Sequence, residues 1–404
     1  MLNRVKSPRR IFVRSDGSSN NNPQRNENIK TEELMLFAWP VKILFILTGK
    51  CPFTTIKNGT ETKLITSYKM LFCSFLTNII LVCSVIWNFI EYPWPESNSI
   101  AVKAQNLNIV IWYTGSVLIS WSTFFAINKQ RQIYQEIYNI YTEATEIFNG
   151  DEGTNTKYKV FAITGSLFTY TAVYVGLCIY DLWDTWLFLV IALILASLEY
   201  LVTAIEIYCF QFIICEIINR CRNGLTSLNV KSVGDLYISL ANVSSDFNDL
   251  YWPRILLLVV CAMTSIIVDT YEIGRSYVTS LTGHFEANGK SVSYILYIQV
   301  FVVIIVFLSS IGTKKYKQSQ LLLLKARTLL TNSPTADKDD FDLLISGITD
   351  LSMDLSAGFF NINYSFFTTV TGNIITYMVI LLQFPGADNN ETKSAHQTIQ
   401  PISN

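Results

Sequence analysis

Charge is scarce in this sequence. Only 15% of its 404 residues are Asp, Glu, Lys or Arg, where a soluble domain carries roughly 25%. Acids and bases nearly cancel, to a formal net charge of −1, so the chain has no basic excess with which to neutralise a phosphate backbone, and nucleic acid is excluded as its main partner. Histidine is scarcer still. His284 and His396 are the only two, and neither sits in an HExxH or comparable ligand pattern. No Walker loop and no strand-borne GxGxxG occurs, so the sequence points away from an enzyme and implies no cofactor and no metal. The eight cysteines include no CxxC pair. Cys73, Cys83, Cys178, Cys209, Cys215 and Cys261 lie in or beside apolar runs and read as small hydrophobes. Cys209, Cys215 and Cys221 recur every six residues, which turns their sulfurs to different faces of a helix and away from a common metal.

The sequence also lacks a signal peptide of ordinary form. Residues 1–32 are rich in Ser, Asn and Arg without a long apolar core, and read as a disordered cytosolic arm. Residues 385–404 are equally polar and read as an unstructured tail.

Hydrophobic length is abundant. Half of the residues are apolar and 13% are aromatic. Seven runs approach the ~20 residues that a bilayer's hydrocarbon requires: 68–92, 106–128, 158–180, 183–213, 254–277, 292–313 and 358–384. The expected fold is therefore all-α, a polytopic membrane protein with a seven-helix domain over 67–384. The segment 33–66 is a membrane-associated prelude, since its run 36–49 is short and contains Pro40 and Lys42.

Loop charge gives the orientation. Three, three and six Lys or Arg fall in the connections 129–157, 214–253 and 314–357, against one, none and one in 93–105, 181–182 and 278–291. The positive-inside bias then predicts a cytosolic N-terminus and an extracellular C-terminus, the reverse of a G-protein-coupled receptor. The fourth run continues unbroken to Arg220, and two further stretches, in 235–258 and 314–330, have helical patterning. Long helices are thus expected to extend into a common cytosolic anchor domain. Four sequons occur, at Asn58, Asn242, Asn363 and Asn390; only Asn390 lies outside in this topology, and it is the candidate for glycosylation.

Acids inside apolar runs are costly and mark either a bundle interior or a function. Glu199 and Glu206 share a face of the fourth run, as interhelical hydrogen-bonding groups or as a ligand or ion site. Asp269 and Glu272 share a face near the outer end of the fifth. Trp112, Tyr113, Tyr170, Tyr174, Tyr294 and Tyr297 fall in outer halves of neighbouring runs. Together they describe an outward cup for a small organic ligand, with Trp112, Tyr174, Asp269, Glu272 and Tyr297 as its binding candidates. An interfacial aromatic belt is the alternative for any one ring.

The last run contains "TYMVILLQF", Thr376 to Phe384. On a helical wheel, Thr369, Asn373, Thr376, Ile380, Gln383 and Phe384 fall within a sector of about 100°. Ile374, Ile375, Met378, Leu381 and Leu382 cover the far side. Such a stripe faces water in a pore or another polar helix. A pore needs several copies around an axis, whereas polar packing within one bundle does not.

The nonamer resembles the signature of the last helix of the insect gustatory receptor family. "AGFFNINYSFF" resembles the approach to that helix, "FILTGKCPF" the segment before the first span, and "RNGLTSLN" the turn after the fourth. The resemblance implies a ligand-gated non-selective cation channel, related to insect odorant receptors, that passes monovalent and divalent cations. It implies a homotetramer, or a heterotetramer with related receptors, in the plasma membrane of sensory neurons and in contact with lipid. Four last helices would line the pore. Carried over by motif position, Gln383 and Phe384 form the gate region, Thr376 and Ile380 continue the lining, and Tyr377 braces the helix. The ligand, a small tastant, would sit in the outer half of each bundle. The sugar-responsive branch commonly carries Glu just after the Thr-Tyr pair, where this chain has Met378; that favours a bitter or other non-sugar compound. An odorant receptor-type subunit is the alternative within the superfamily. A secondary transporter is the rival outside it, disfavoured by the lack of internal repeats and of proline within the runs.

Overall fold

The computed structural model describes residues 48, 50, 53–58, 61–91, 100–148, 165, 169, 172, 176, 187–281, 289–332, 338–351 and 353–382. The described residues are mostly helical, apart from a small hairpin, short turns and an irregular segment before the last helix. The arms 1–32 and 385–404, most of the run 36–49 and most of the run 158–180 lie outside the described residues.

The hairpin is the first departure from the expected fold. Strands β1 (Phe53–Asn58) and β2 (Glu61–Thr66) pair antiparallel, from Phe53↔Thr66 to Asn58↔Glu61. Gly59 and Thr60 join them in the sequence, and Asn58 with Gly59 makes the Asn-Gly dipeptide that is a strong local hairpin signal. Its buried face packs through Phe53 and Leu64.

Helix α1 (Tyr68–Glu91) follows the first apolar run, with Pro93 two residues beyond it in the sequence. Its outward face stays apolar: Tyr68, Phe72, Leu76, Ile79, Ile86 and Ile90 are exposed, as hydrocarbon surroundings require. Helix α2 (Ile100–Phe125) meets α3 (Ile127–Phe148) at a bend of 70°. The sequence reading had left 129–157 as a connection. Its apolar residues Ile133, Ile137, Ile140 and Ala144 recur at helical spacing and are buried, so α3 is an amphipathic helix on the bundle's base.

Three long helices form the core. They are α4 (Leu187–Gly224), α5 (Val230–Leu281) and α6 (Gly289–Asn332). At 52 residues, α5 is about 78 Å long, and it runs through Pro253 without interruption. Among the described residues, Ile194–Gly224 and Val230–Gly274 are long and apolar enough to cross a bilayer. The bent pair Asn106–Phe125 and Ile127–Phe148 is a third candidate if it forms one span.

The turn between α4 and α5 explains "RNGLTSLN". The Asn229 side chain donates to the last carbonyl of α4, Gly224 O, at 2.8 Å and accepts from Thr226 N at 2.8 Å. One residue thus closes one helix and caps the next.

The base is aromatic and dense. Phe210, Phe247 and Tyr251 stack with centroids 3.9 and 4.0 Å apart. Helix α7 (Lys338–Asp350) buries Phe341, Leu344 and Ile348 against α5 and α6. Cys209, Cys215, Cys221 and Cys261 are buried as expected of small hydrophobes, while Cys73 and Cys83 are exposed on α1.

The last helix, α8 (Tyr364–Leu382), starts six residues later than the run 358–384 had indicated. The preceding stretch folds back as an isolated bridge, Ser356↔Asn361, with Gly358 at φ +84°. At that left-handed angle glycine carries no Cβ penalty, and a Cβ there would press on the Trp252 ring. Asn363 caps the helix by accepting from Phe366 N at 3.0 Å. The third sequon is therefore a capping residue.

Candidate functional site

Asn108 on α2 faces Ser265 on α5; Trp112 lies one turn along α2, at the level of Cys261, and Asp269 one turn beyond Ser265 in the opposite direction. Ser265 donates to Asn108 Oδ1 at 3.2 Å. Asp269 is buried, at 6% exposure, and Glu272 is half-buried. Trp112 stands edge-on to Tyr200 at 6.1 Å and to Phe301 at 5.4 Å. Its indole N–H is buried and has no hydrogen-bond partner among the described residues, which leaves a donor free inside an aromatic box. Tyr200 approaches closely because Gly115 offers no side chain where the phenol sits; the Tyr200 hydroxyl donates to Trp112 O at 2.6 Å.

Tyr113 is buried with Leu81, Val85 and Ala196, between α1 and α4. Trp112 touches that cluster as well, and packs besides on a second one of Ala262, Ile266, Phe301, Ile305 and Val370. That cluster joins α5, α6 and α8, so Trp112 is in mechanical contact with the last helix. Tyr174 lies outside the described residues. Tyr297 belongs to α6, but its side chain is not among those described, and the same holds for Tyr294. Of the candidate ligand set, the side chains of Trp112, Asp269 and Glu272 are described, the indole at the level of Cys261 and the two acids farther along α5.

Helix α8 has two unlike faces. Val370 is buried, Phe366, Phe367, Thr371, Ile374 and Met378 are half-buried, and all six turn toward α5 and α6. Thr369, Asn373, Thr376 and Ile380 are exposed. At 100° per residue the exposed stripe lies about 140° around the helix from the packed face. The polar face therefore points away from the protein's own bundle. Thr369 and Thr376 return their hydroxyls to the carbonyls of Ser365 and Gly372, at 3.0 and 2.9 Å, which satisfies them locally. Tyr377 is 54% exposed, between the two faces. Gln383, Phe384 and Asn390 lie outside the described residues.

The base of α8 is held more tightly than its body. Tyr364 N donates to Thr313 Oγ1 on α6 at 3.1 Å, and Ile362 N to Leu355 O at 2.7 Å. The Ile362 carbonyl rests on Gly312, where any Cβ would collide with it. Asn248 on α5 donates to Asp354 O at 2.6 Å.

Glu199 and Glu206 take the first of their two readings. Glu199 is 2.8 Å from the Lys50 ammonium. Glu206 accepts from Gln130, Tyr134 and Tyr251. Arg254 donates to Ser122 Oγ and Ser122 O, both at 3.0 Å. The acids were legible in the sequence; their partners, on the segment before the hairpin, on α3 and on α5, were not.

Near the base, Lys315 is fully buried and donates to Gln211 at 2.6 Å. Burial lowers its pKa to about 8, against a smaller upward pull from Cys215 and Asp354. Burial likewise pushes the Cys215 and Cys221 thiols up to about 11 and about 12, so neither is a thiolate at neutral pH.

The sequence profile of the 7tm chemosensory receptor family matches residues 43–385. No functionally curated protein matches the chain. Two solved structures of the insect olfactory receptor OR5 from Machilis hrabei share its fold. The complex with eugenol aligns with a TM-score of 0.60 at 15% identity, over 87% of this chain and 99% of that one. A second structure of that receptor aligns with a TM-score of 0.57 at 14% identity, over the same shares.

Proposed function

This chain belongs to the 7tm chemosensory receptor family, and from that premise we propose that it is a gustatory receptor acting as a ligand-gated, non-selective cation channel. The observation that carries the reading is the orientation of α8. A polar stripe packed within one subunit would face α5 and α6, whereas Thr369, Asn373, Thr376 and Ile380 face the other way. Several copies around an axis give such a face an aqueous partner. Four α8 helices line the pore, and Gln383 and Phe384 form its gate, with Phe384 sealing the closed state and Gln383 lining the open one. Tyr377 braces each helix against its neighbour. The N-terminus is cytosolic, seven spans cross the plasma membrane of a sensory neuron, and Asn390 carries glycan outside.

The ligand is a small organic tastant held by Trp112, Asp269 and Glu272, completed by Tyr174 and Tyr297. A buried, unpartnered indole N–H beside aromatic edges suits a compact aromatic molecule with a polar substituent. The solved olfactory receptor binds eugenol, a molecule of that kind. Occupancy at Trp112 reaches α8 through Phe301, Ile266 and Val370, which share one packed cluster.

Recordings from cells expressing the chain test both halves. In a Thr376→Cys variant, a charged thiol reagent should reduce ligand-evoked current, and Trp112→Ala should raise the half-maximal ligand concentration at unchanged unitary conductance. Unaltered permeation after modification of Thr376→Cys would remove α8 from the pore. The olfactory receptor fold supports a second reading, an odorant receptor-type subunit. A panel of volatile and non-volatile compounds, with and without a related subunit, separates the two.

A further inference from the structure

Lys50 lies outside the helices, just before the hairpin, yet it is 1% exposed. Its ammonium stands 2.8 Å from Glu199 Oε1 and donates to Thr203 Oγ1. Its backbone carbonyl accepts from Gln130 Nε2 at 3.4 Å. Glu206 lies two turns from Glu199 on the same face of α4, where Gln130, Tyr134 and Tyr251 converge on one oxygen. Arg254 lies over the Tyr251 ring at 4.5 Å. Two cations and two carboxylates thus balance in a place where a bundle of this composition could have buried leucines.

A buried ion pair is a poor source of net stability compared with apolar packing, and its attested use is to specify which element docks where. Here the docking element is the segment before the first span. Phe53, three residues beyond Lys50, is buried edge-on to Tyr134 at 6.1 Å, and Leu64 N donates to Gln135 Oε1 at 2.7 Å. These contacts land on the first turns of α3, immediately after the 70° bend. On the other side of the bend, Ser122 is held by Arg254. The last turn of α2 and the first turns of α3 are therefore gripped by one charge cluster that Lys50 completes.

We propose that Glu199, Thr203 and Glu206 form a binding site for a primary ammonium, which the chain fills with its own Lys50, and that this plug holds the bend between α2 and α3. The site takes a short alkylammonium: a charged head for Glu199 and Thr203, and an apolar stem for the surrounding bundle. It rests on the fold alone, so its test reads stability rather than current.

The full chain in detergent is melted as wild type, Lys50→Ala and Lys50→Ala with Glu199→Gln. Loss of the ammonium leaves an unpaired buried carboxylate and should lower the melting temperature by about 5 °C or more. Millimolar propylammonium should restore at least half of that loss in Lys50→Ala, and none in the variant that also carries Glu199→Gln, while 1-propanol restores neither. Melting of Lys50→Ala as wild type, equal rescue by propanol, or amine rescue that survives Glu199→Gln would each overturn the site. Should Lys50→Ala not accumulate, Lys50→Met is compared with the pair Lys50→Met and Glu199→Gln, which buries neither charge. Recovery of folded protein by the pair supports the ammonium–carboxylate contact, and a pair no better than Lys50→Met alone overturns it.

Discussion

The base of the bundle and the helix that leaves it are built by opposite rules. At the base, α4 is almost wholly buried, and the inward faces of α5 and α6 join it in a core that includes the stacked Phe210, Phe247 and Tyr251 and the ammonium of Lys315. On α8 only a strip around Val370, Ile374 and Met378 packs, and Thr369, Asn373, Ile375, Thr376 and Ile380 stay exposed. The base is complete within one chain. The last helix presents faces that a single chain does not use, and the proposal that it lines a pore rests on them.

The sharpest break in that contrast is Phe247→Ala. It removes the middle ring of the stack, which no neighbour can replace, and should cost about 3–5 kcal/mol, read as collapse of surface expression and of thermal stability in detergent. A loss near zero would mean that the base is not the rigid half.

Lys315 offers a subtler probe of the same region. Its pKa is about 8 in the folded protein against an ordinary 10.5. Below pH 8 both folded and unfolded chains are protonated, and folding bears the full cost of the buried charge. Between about 8 and 10.5 the unfolded chain holds more protons, so stability rises with pH. Measured against Lys315→Met, wild type should gain about 3 kcal/mol between pH 7 and pH 10.5. A flat difference would show that the ammonium is not buried as described.

Gly312→Ala tests the junction between the two regions, because a Cβ there must displace the Ile362 carbonyl. The expected cost is about 1–3 kcal/mol, together with an altered open probability at unchanged unitary conductance. Smallest is Asn373→Ala on the exposed stripe. Stability should move by less than about 0.5 kcal/mol, while conductance or ion preference changes. A large loss of stability there would place the stripe in packing rather than in a pore.

How much of this was legible in the sequence depended on the range of the interaction. Helix α1, Tyr68–Glu91, could be read as the run 68–92, because an apolar run is a local property. The start of α8 could not: Phe359 and Phe360 extend the apolar run, and only the Ser356↔Asn361 bridge, the left-handed Gly358 and the Asn363 cap end it. The hairpin had a local signal that was read for something else. Asn58 and Gly59 drew notice as part of a sequon, and the alternation around them was overlooked. Helix α3 was hidden by its polarity, since it packs only one face. Lys50 was quoted within "FILTGKCPF" without a role, because its partner Glu199 lies 149 positions away and nothing local connects them. In the ligand set, Asp269 and Trp112 could be placed on outer halves by counting turns, but that Trp112, unlike Tyr113, also packs on the second cluster required the packing.

Helix α5 has a consequence of a different kind, as a lever. It carries Asp269 toward one end, and at the other Asn248 and Trp252, which grip the segment that launches α8. From Asp269 to Trp252 is about 26 Å of unbroken helix. A helix is stiff along its axis, so it cannot absorb a tilt between those points. A small rotation imposed near Asp269 is therefore carried along α5 to the footing of the last helix, and the signal proposed to start there needs no chain of rearranging side chains, only one rod and the two grips at its ends.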